Sequence, residues 1–370
     1  MRVIMHIPFR SVSDVLDLLA DKESESSAWL LFVAERHAAQ LPDLMTEAQA
    51  RHITICGAIF PALISDAQRV DEGVIAIALP SGSRCTTATV ALDQTRWHTP
   101  IPALPEDSSA LILVDCQARG ISGFLSQIYN EYGNRINYAG AGTGFSDLRA
   151  QPSVFTDSGF VDSGAFLITF PSPSVSRVRH GWNRVAGPFI ATRTDGSVIQ
   201  ELNWESAGTF YRQQVAELSP GLEDKPIFPT LNSLFPLSIG RPFAEDVMRD
   251  PIEINAADEI VTLSDVPENS MIYIETGDNA SLIDGACQAV SECAGATDVS
   301  VCFVSDCYSR ALKLGDSLNQ ELQEAGEILK SITEAPMEGV LALGEVCGNE
   351  RSTLEFYNKT FVISLLTSRR

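Results

Sequence analysis

Ala110-Leu-Ile-Leu-Val-Asp-Cys-Gln-Ala-Arg119 and Val301-Cys-Phe-Val-Ser-Asp-Cys-Tyr-Ser-Arg310 share one pattern. In each, an apolar run of strand length ends in Asp-Cys, and an Arg follows three residues after the Cys. Such runs, bounded by polar residues, fit buried strands. After the first copy, Phe124, Leu125 and Ile128 fall on one side of a helix over 121–132, and strands follow at 136–140 and 164–170. After the second, Leu318, Leu322, Ala325 and Leu329 mark a helix over 317–332. Closing strands follow at 339–343 and 360–366. Asp115 and Asp306 lie 191 positions apart, far beyond a solenoid period. The pattern predicts an internal duplication: an α/β (α+β) fold of two related halves, each a mixed β-sheet with packed helices.

Working outward, the same order already occurs before the first copy. Val15, Leu16 and Leu19 mark a helix over 11–21, and Trp29-Leu-Leu-Phe-Val-Ala34 reads as a strand. A short helix over 42–50 and strands over 53–58 and 73–79 follow. Between the halves, Pro220, Pro226, Pro229 and Pro236 are interleaved with Gly and Asp, which predicts a linker. The expected organisation is therefore 1–215, a Pro-rich linker over 216–236, and 237–370.

The chain has 370 residues, and 26 Lys+Arg against 48 Asp+Glu give a net charge of −22. This acidity argues against nucleic-acid or anionic-membrane surfaces, which need clustered cations to meet phosphate. The apolar stretch in residues 1–10 is too short for a signal-peptide core, and no apolar run reaches spanning length. A cytoplasmic location is expected. The eight cysteines form no paired short spacings of a structural zinc site, and no His follows at finger spacing. They are read as reduced, mostly buried hydrophobes.

No complete catalytic constellation emerges. Gly140-Ala-Gly-Thr-Gly144 follows a strand, but the dinucleotide fingerprint needs a further Gly and then a helix, and here Phe145 and Pro152 follow. It reads better as a tight strand exit. No Gly-x-Ser-x-Gly elbow occurs. An enzyme would need a Cys or Ser nucleophile, such as Cys116 or Cys307, beside a base, and nothing in the spacing of the five His favours such a pair.

The sharpest anomaly is Val175-Ser-Arg-Val-Arg-His-Gly-Trp-Asn-Arg184, which brings Arg177, Arg179, Arg184, His180 and Trp182 together in an acidic chain. In a strand Arg177 and Arg179 share one face, and Val178 and His180 the other. The cluster suits a small anionic ligand held by guanidinium groups. It equally suits haem, with His180 as axial ligand and arginines on the propionates. The plainer reading is a hydrogen-bonded core His beside solvated arginines. Residues 177–184 hold no acidic residue, so an anion would meet one local attractor on a repulsive surface. Glu345, after Gly344 at a strand end, could hold a ligand amine or sit in solvent.

Together these segments resemble the FIST family of sensory proteins, with N-terminal and C-terminal domains in tandem. The carrying stretches are Tyr138-Ala-Gly-Ala-Gly-Thr-Gly144, Val154-Phe-Thr-Asp-Ser-Gly159, His180-Gly-Trp182, Gly187-Pro-Phe-Ile-Ala-Thr192 and Glu201-Leu-Asn-Trp-Glu-Ser-Ala207. Phe303 to Arg310, Gly344-Glu345 and Tyr357-Asn-Lys-Thr360 extend the likeness into the second half. Where members commonly carry a Thr-Ala-Gly-Glu-like stretch, this chain has Ile55-Cys-Gly-Ala-Ile-Phe-Pro61. The resemblance implies a non-enzymatic input module that binds a small ligand, such as an amino acid or organic acid, and regulates a partner such as a histidine kinase. Some relatives are haem proteins that sense nitric oxide, which makes haem the alternative ligand. The expected ligand-binding residues are His180, Arg177, Arg179, Trp182, Arg184, Arg310 and Glu345. A thiol-dependent enzyme and a plain interaction scaffold are the rival classes.

Overall fold

The computed structural model describes residues 4–21, 28–92, 94–105, 107–242, 244–349 and 352–367. Its framework is a parallel strand pair repeated three times: Trp29–Ala34 with Ile55–Phe60, Ser109–Asp115 with Asn137–Thr143, and Val299–Cys307 with Met337–Ala342. Parallel neighbours need a crossover, and each pair has a helical one. The crossovers contain Leu41–Ala50, Ile121–Tyr132, and Tyr308–Leu314 with Leu318–Lys330.

Each pair also holds one glycine where the strands press together. A Cβ on Gly57 would lie 2.2 Å from the Leu31 carbonyl oxygen, one on Gly140 1.9 Å from that of Ile112, and one on Gly339 2.0 Å from that of Val304. The Gly140-x-Gly-x-Gly144 run thus serves close backbone approach, not a phosphate loop.

Around each pair the strands follow one plan. A return strand lies antiparallel to the first strand of the pair: Val74–Ala78, Gly164–Phe170 and Phe361–Thr367. An outer strand pairs with the return strand: Ile4–Ile7, Arg84–Thr89 and Ser174–Arg179. The expected mixed α/β architecture is present and contains three such units: two lie in the first half, and the third joins Ser174–Arg179 of the first half to strands of the second.

The three sheets are closed by exchange. The hairpin after each parallel pair leaves its own unit and completes another sheet. Ala62–Ser65 of the first unit pairs with 338–341 of the third, with Leu63 opposite Val340. Val154–Thr156 of the second pairs with the first, with Val154 opposite Ala58. Glu345–Asn349 of the third pairs with the second, with Tyr138 opposite Gly348. The apolar faces pack between sheets, where Phe32, Leu113, Phe166, Phe303 and Val340 share one core.

A fourth sheet of eight strands is inserted into the third unit, between Ser174–Arg179 and helix Asn279–Ser291. Its longest strand is Asn183–Asp195. The segment expected as a linker, 216–236, is a packed connection of this insertion. Ile227, Leu231 and Phe235 join its core, and the Tyr211 hydroxyl donates to the Phe235 carbonyl at 2.8 Å. Pro220, Pro226 and Pro229 are exposed, and the apolar residues between and after them hold the segment against the insertion. No helix among the described residues is long and apolar enough to cross a membrane.

The glycine contacts make a direct test. Gly140→Ala and Gly339→Ala are each expected to cost at least about 2 kcal/mol, because the neighbouring strand must move. Gly123, in the first turn of helix Ile121–Tyr132 with open space around it, is the control; Gly123→Ala is expected to stabilise by up to about 1 kcal/mol. Urea unfolding of the three variants checks the contrast.

Candidate functional site

Past the end of strand Ser174–Arg179, the in–out alternation continues for one residue and turns His180 inward, 8% exposed. Gly181 then turns the chain at φ +76°. It passes so close to helix Asn279–Ser291 that a Cβ on Gly285 would lie 2.8 Å from the Gly181 Cα. The helix begins at a capping box, in which the Asp278 carboxylate accepts from the Ser281 backbone N–H at 2.8 Å. This glycine crossing opens a cavity of about 550 Å³. Its walls come from 177–183, Ala244 and Glu245, one helix face with Ser281, Asp284, Gln288 and Glu292, and the exchanged hairpin through Asn349, Ser352 and Tyr357.

Charge in the cavity is paired across long sequence distances. The Glu245 carboxylate accepts from the His180 backbone N–H at 2.8 Å and from Arg179 Nη1 at 2.8 Å. Arg179 Nη2 donates to Glu292. The local excess of positive charge expected over 177–184 is therefore offset: two arginines in the wall face Glu245, Asp284 and Glu292. Burial pulls His180 below the ordinary imidazole range, against the pull of Glu245 and Asp246, so the ring is neutral near pH 7.

That neutral ring tests the haem reading. The Trp182 backbone N–H donates to His180 Nδ1 at 2.8 Å. An N–H can only donate, so Nδ1 carries the lone pair and Nε2 the proton. Nε2 faces Glu245 Oε1 at 3.4 Å. Iron would need the lone pair on Nε2, so this arrangement does not fit His180 as an axial ligand. Among the described residues no cluster of three or more His, Cys, Asp and Glu is placed to hold a metal ion.

Of the expected residues, Arg177, Arg179, His180 and Trp182 line the cavity. The Trp182 indole N–H is buried, and among the described residues it meets no acceptor. Arg184 stands outside the wall. It makes a bidentate contact to Asp246, 2.6 Å on each arm, and lies 3.8 Å over the Tyr273 ring. Arg310 and Glu345 are fully buried and also outside the wall. Arg310 donates to Glu321 and to the Leu282 carbonyl, so it anchors the helix that forms the wall. Glu345 accepts from the Thr360 backbone N–H at 3.1 Å and from its hydroxyl at 2.8 Å. Burial raises its carboxyl well above the usual range. It neither sits in solvent nor opens to the cavity.

The thiol reading loses its chemistry here. Burial pushes Cys116 and Cys307 far up, away from thiolate. Among the described residues no hydrogen bond joins a cysteine to an imidazole. Sequence reasoning missed Glu245, Asp284 and Glu292. The only signal was an acidic pair, Glu245-Asp246, four and five residues beyond the cationic Arg241.

Residues 27–205 match the FIST N domain, and residues 207–348 match the FIST C domain. The chain belongs to the FIST family. No curated protein matches it. FIST domains are associated with sensing in signal transduction. In this FIST chain, the junction between the two matched domains falls inside the inserted sheet, just before helix Ala207–Leu218.

A buried carboxyl beside the site titrates in an accessible window. Burial lifts Glu275 to about 7, although Ser238 Oγ donates to it at 2.6 Å. A raised folded value means the folded state holds the proton more tightly. Glu275 therefore costs stability as pH climbs from about 4.5 towards 7, and the loss is complete above that. Glu275→Gln is expected to flatten this slope and gain about 1–3 kcal/mol at pH 8. Chemical denaturation at pH 5 and pH 8 measures it.

Proposed function

We propose that this FIST chain is a sensory module that binds a small zwitterion, an amino acid, beside His180 and signals to a separate partner such as a histidine kinase. The observation that supports this reading is the cavity at the glycine crossing. It presents carboxylates and guanidinium groups together, whereas a site for a simple anion would present cations alone. Trp182 lines the wall, and a shift of its side chain on binding would give its unpaired indole N–H a ligand carboxylate as acceptor. Asp284, whose side chain accepts from Gln288 at 2.6 Å, offers a counter-charge for an ammonium. Arg177 and Arg179 set the field of the wall, and Glu245 holds Arg179 in place. Arg310 and Glu345 act at a distance, by fixing the helix and the exchanged hairpin.

Ligand seated here would touch the insertion, the wall helix and the hairpin at once. It would favour whichever arrangement of the three fits it, by its differential affinity alone. That arrangement is what a partner would read.

A thermal-shift screen of the proteinogenic amino acids tests the reading, followed by calorimetry on any hit. Binding is expected to fall at least tenfold in Asp284→Asn and in Trp182→Phe. Absence of any saturable amino-acid binding would sink the proposal. Haem titration is a separate check, and the Soret band is expected to be the same in wild type and His180→Ala.

A further inference from the structure

A second, larger cleft of about 880 Å³ lies between helix Ile121–Tyr132, the inserted sheet and the exchanged hairpin. It shares no lining residue with the cavity beside His180. Strand Ser352–Tyr357 stands between the two, with Ser352 and Tyr357 on the cavity and 353–356 on the cleft.

Its distinguishing group is Arg249, only 5% exposed. Arg249 Nε donates to the Asp265 carbonyl at 2.8 Å, and Nη1 to the carbonyls of Met248 and Phe356 at 3.0 and 3.1 Å. Those partners are neutral. Among the described residues no carboxylate pairs with Arg249, which is unusual for a buried charge. Burial accordingly pulls the guanidinium down to about 10, despite the more distant Glu355 and Asp265.

The other charges on the cleft divide clearly. Arg241 is engaged by Glu355. Asp265 accepts from the Ser122 hydroxyl at 3.0 Å. Arg119 is exposed and has no partner among the described residues. Two cations, Arg249 and Arg119, are thus left without a contacting anion, and Asp195 is the remaining acid in the wall. The rest of the lining is largely apolar. Leu92 and Leu148 are 61% and 38% exposed, and Leu125, Leu354 and Phe356 lie deeper.

A buried guanidinium lacking a carboxylate, beside apolar wall and two exposed leucines, defines a ligand with two ends. We infer that this cleft binds an amphipathic carboxylate, an acyl or aryl acid, with its head near Arg249 and Arg119 and its apolar body along Leu92, Leu148 and Phe356. The volume is in the range of small-molecule sites. The head supplies the counter-charge that the fold withholds, and the apolar body covers leucines that otherwise face water.

The test uses the full chain with octanoate as probe, and 1-octanol and inorganic phosphate as controls, followed by calorimetry. Saturable one-to-one binding of octanoate is expected, at least tenfold tighter than 1-octanol and with no response to phosphate. Arg119→Ala removes a group that holds no other described residue, and is expected to weaken octanoate at least fivefold. Arg249→Gln is expected to weaken it further. Ser126→Trp, on the exposed side of the cleft helix, is expected to block it while thermal unfolding stays that of wild type. Asp284→Asn, in the other cavity, is expected to leave octanoate affinity unchanged, which separates this site from the amino-acid reading. Equal affinity for octanoate and 1-octanol, unchanged octanoate binding in Arg119→Ala and Ser126→Trp, or no saturable binding at all would each overturn the inference.

Discussion

The rest of the structure depends on a hydrogen-bonding debt. In each unit the second strand of the parallel pair has an edge that its own unit leaves open. Buried backbone groups must find partners, and here each finds them in a hairpin from a different unit. The debt passes around a closed cycle of three, so no unit sheet is complete by itself. The glycines at 57, 140 and 339 belong to the same constraint, since they let the paired strands approach closely at the point each sheet is built around.

The ionic interior follows from how the insertion joins this ring. Helix Asn279–Ser291 returns the chain from the inserted sheet and is tied down through Leu282 by Arg310, itself paired with Glu321. Lys359 meets Asp250 at 3.2 Å, both fully or almost fully buried. Buried pairs of this kind add little net stability, but losing one partner is costly because the other is stranded. Their effect is positional: they fix the elements that wall the two cavities.

Much of the framework was legible in the sequence. The strands at 29–34 and 164–170 and the helix at 121–132 have the residues expected, because each is a buried run or a clean amphipathic stripe with turn chemistry at its ends. The inserted sheet was not legible. Its long strand Asn183–Asp195 is mostly exposed and broken by register shifts, so its apolar pattern has no steady period. The prolines at 220–236 resemble a linker because composition does not show that Ile227, Leu231 and Phe235 pack into the core of the insertion. The site was half legible: the cationic side lies in one short stretch, whereas Glu245 and Glu292 arrive from 65 and 113 positions away. Arg310 and Glu345 announce chemistry by type, yet only packing shows that they hold Glu321, the Leu282 carbonyl and Thr360 and lie outside the cavity wall.

The cyclic exchange also governs how the chain comes off the ribosome. The hairpin at 62–70 emerges early, while its acceptor at 338–341 is made some 275 residues later. At usual synthesis rates that interval is on the order of tens of seconds. Throughout it, Ala62–Ser65 is an apolar strand with an unpaired edge, the kind of surface that recruits other chains. Contacts this distant in sequence also slow the folding of the finished polypeptide. A nascent chain of this topology is therefore a natural client for a holding chaperone until its last strands appear.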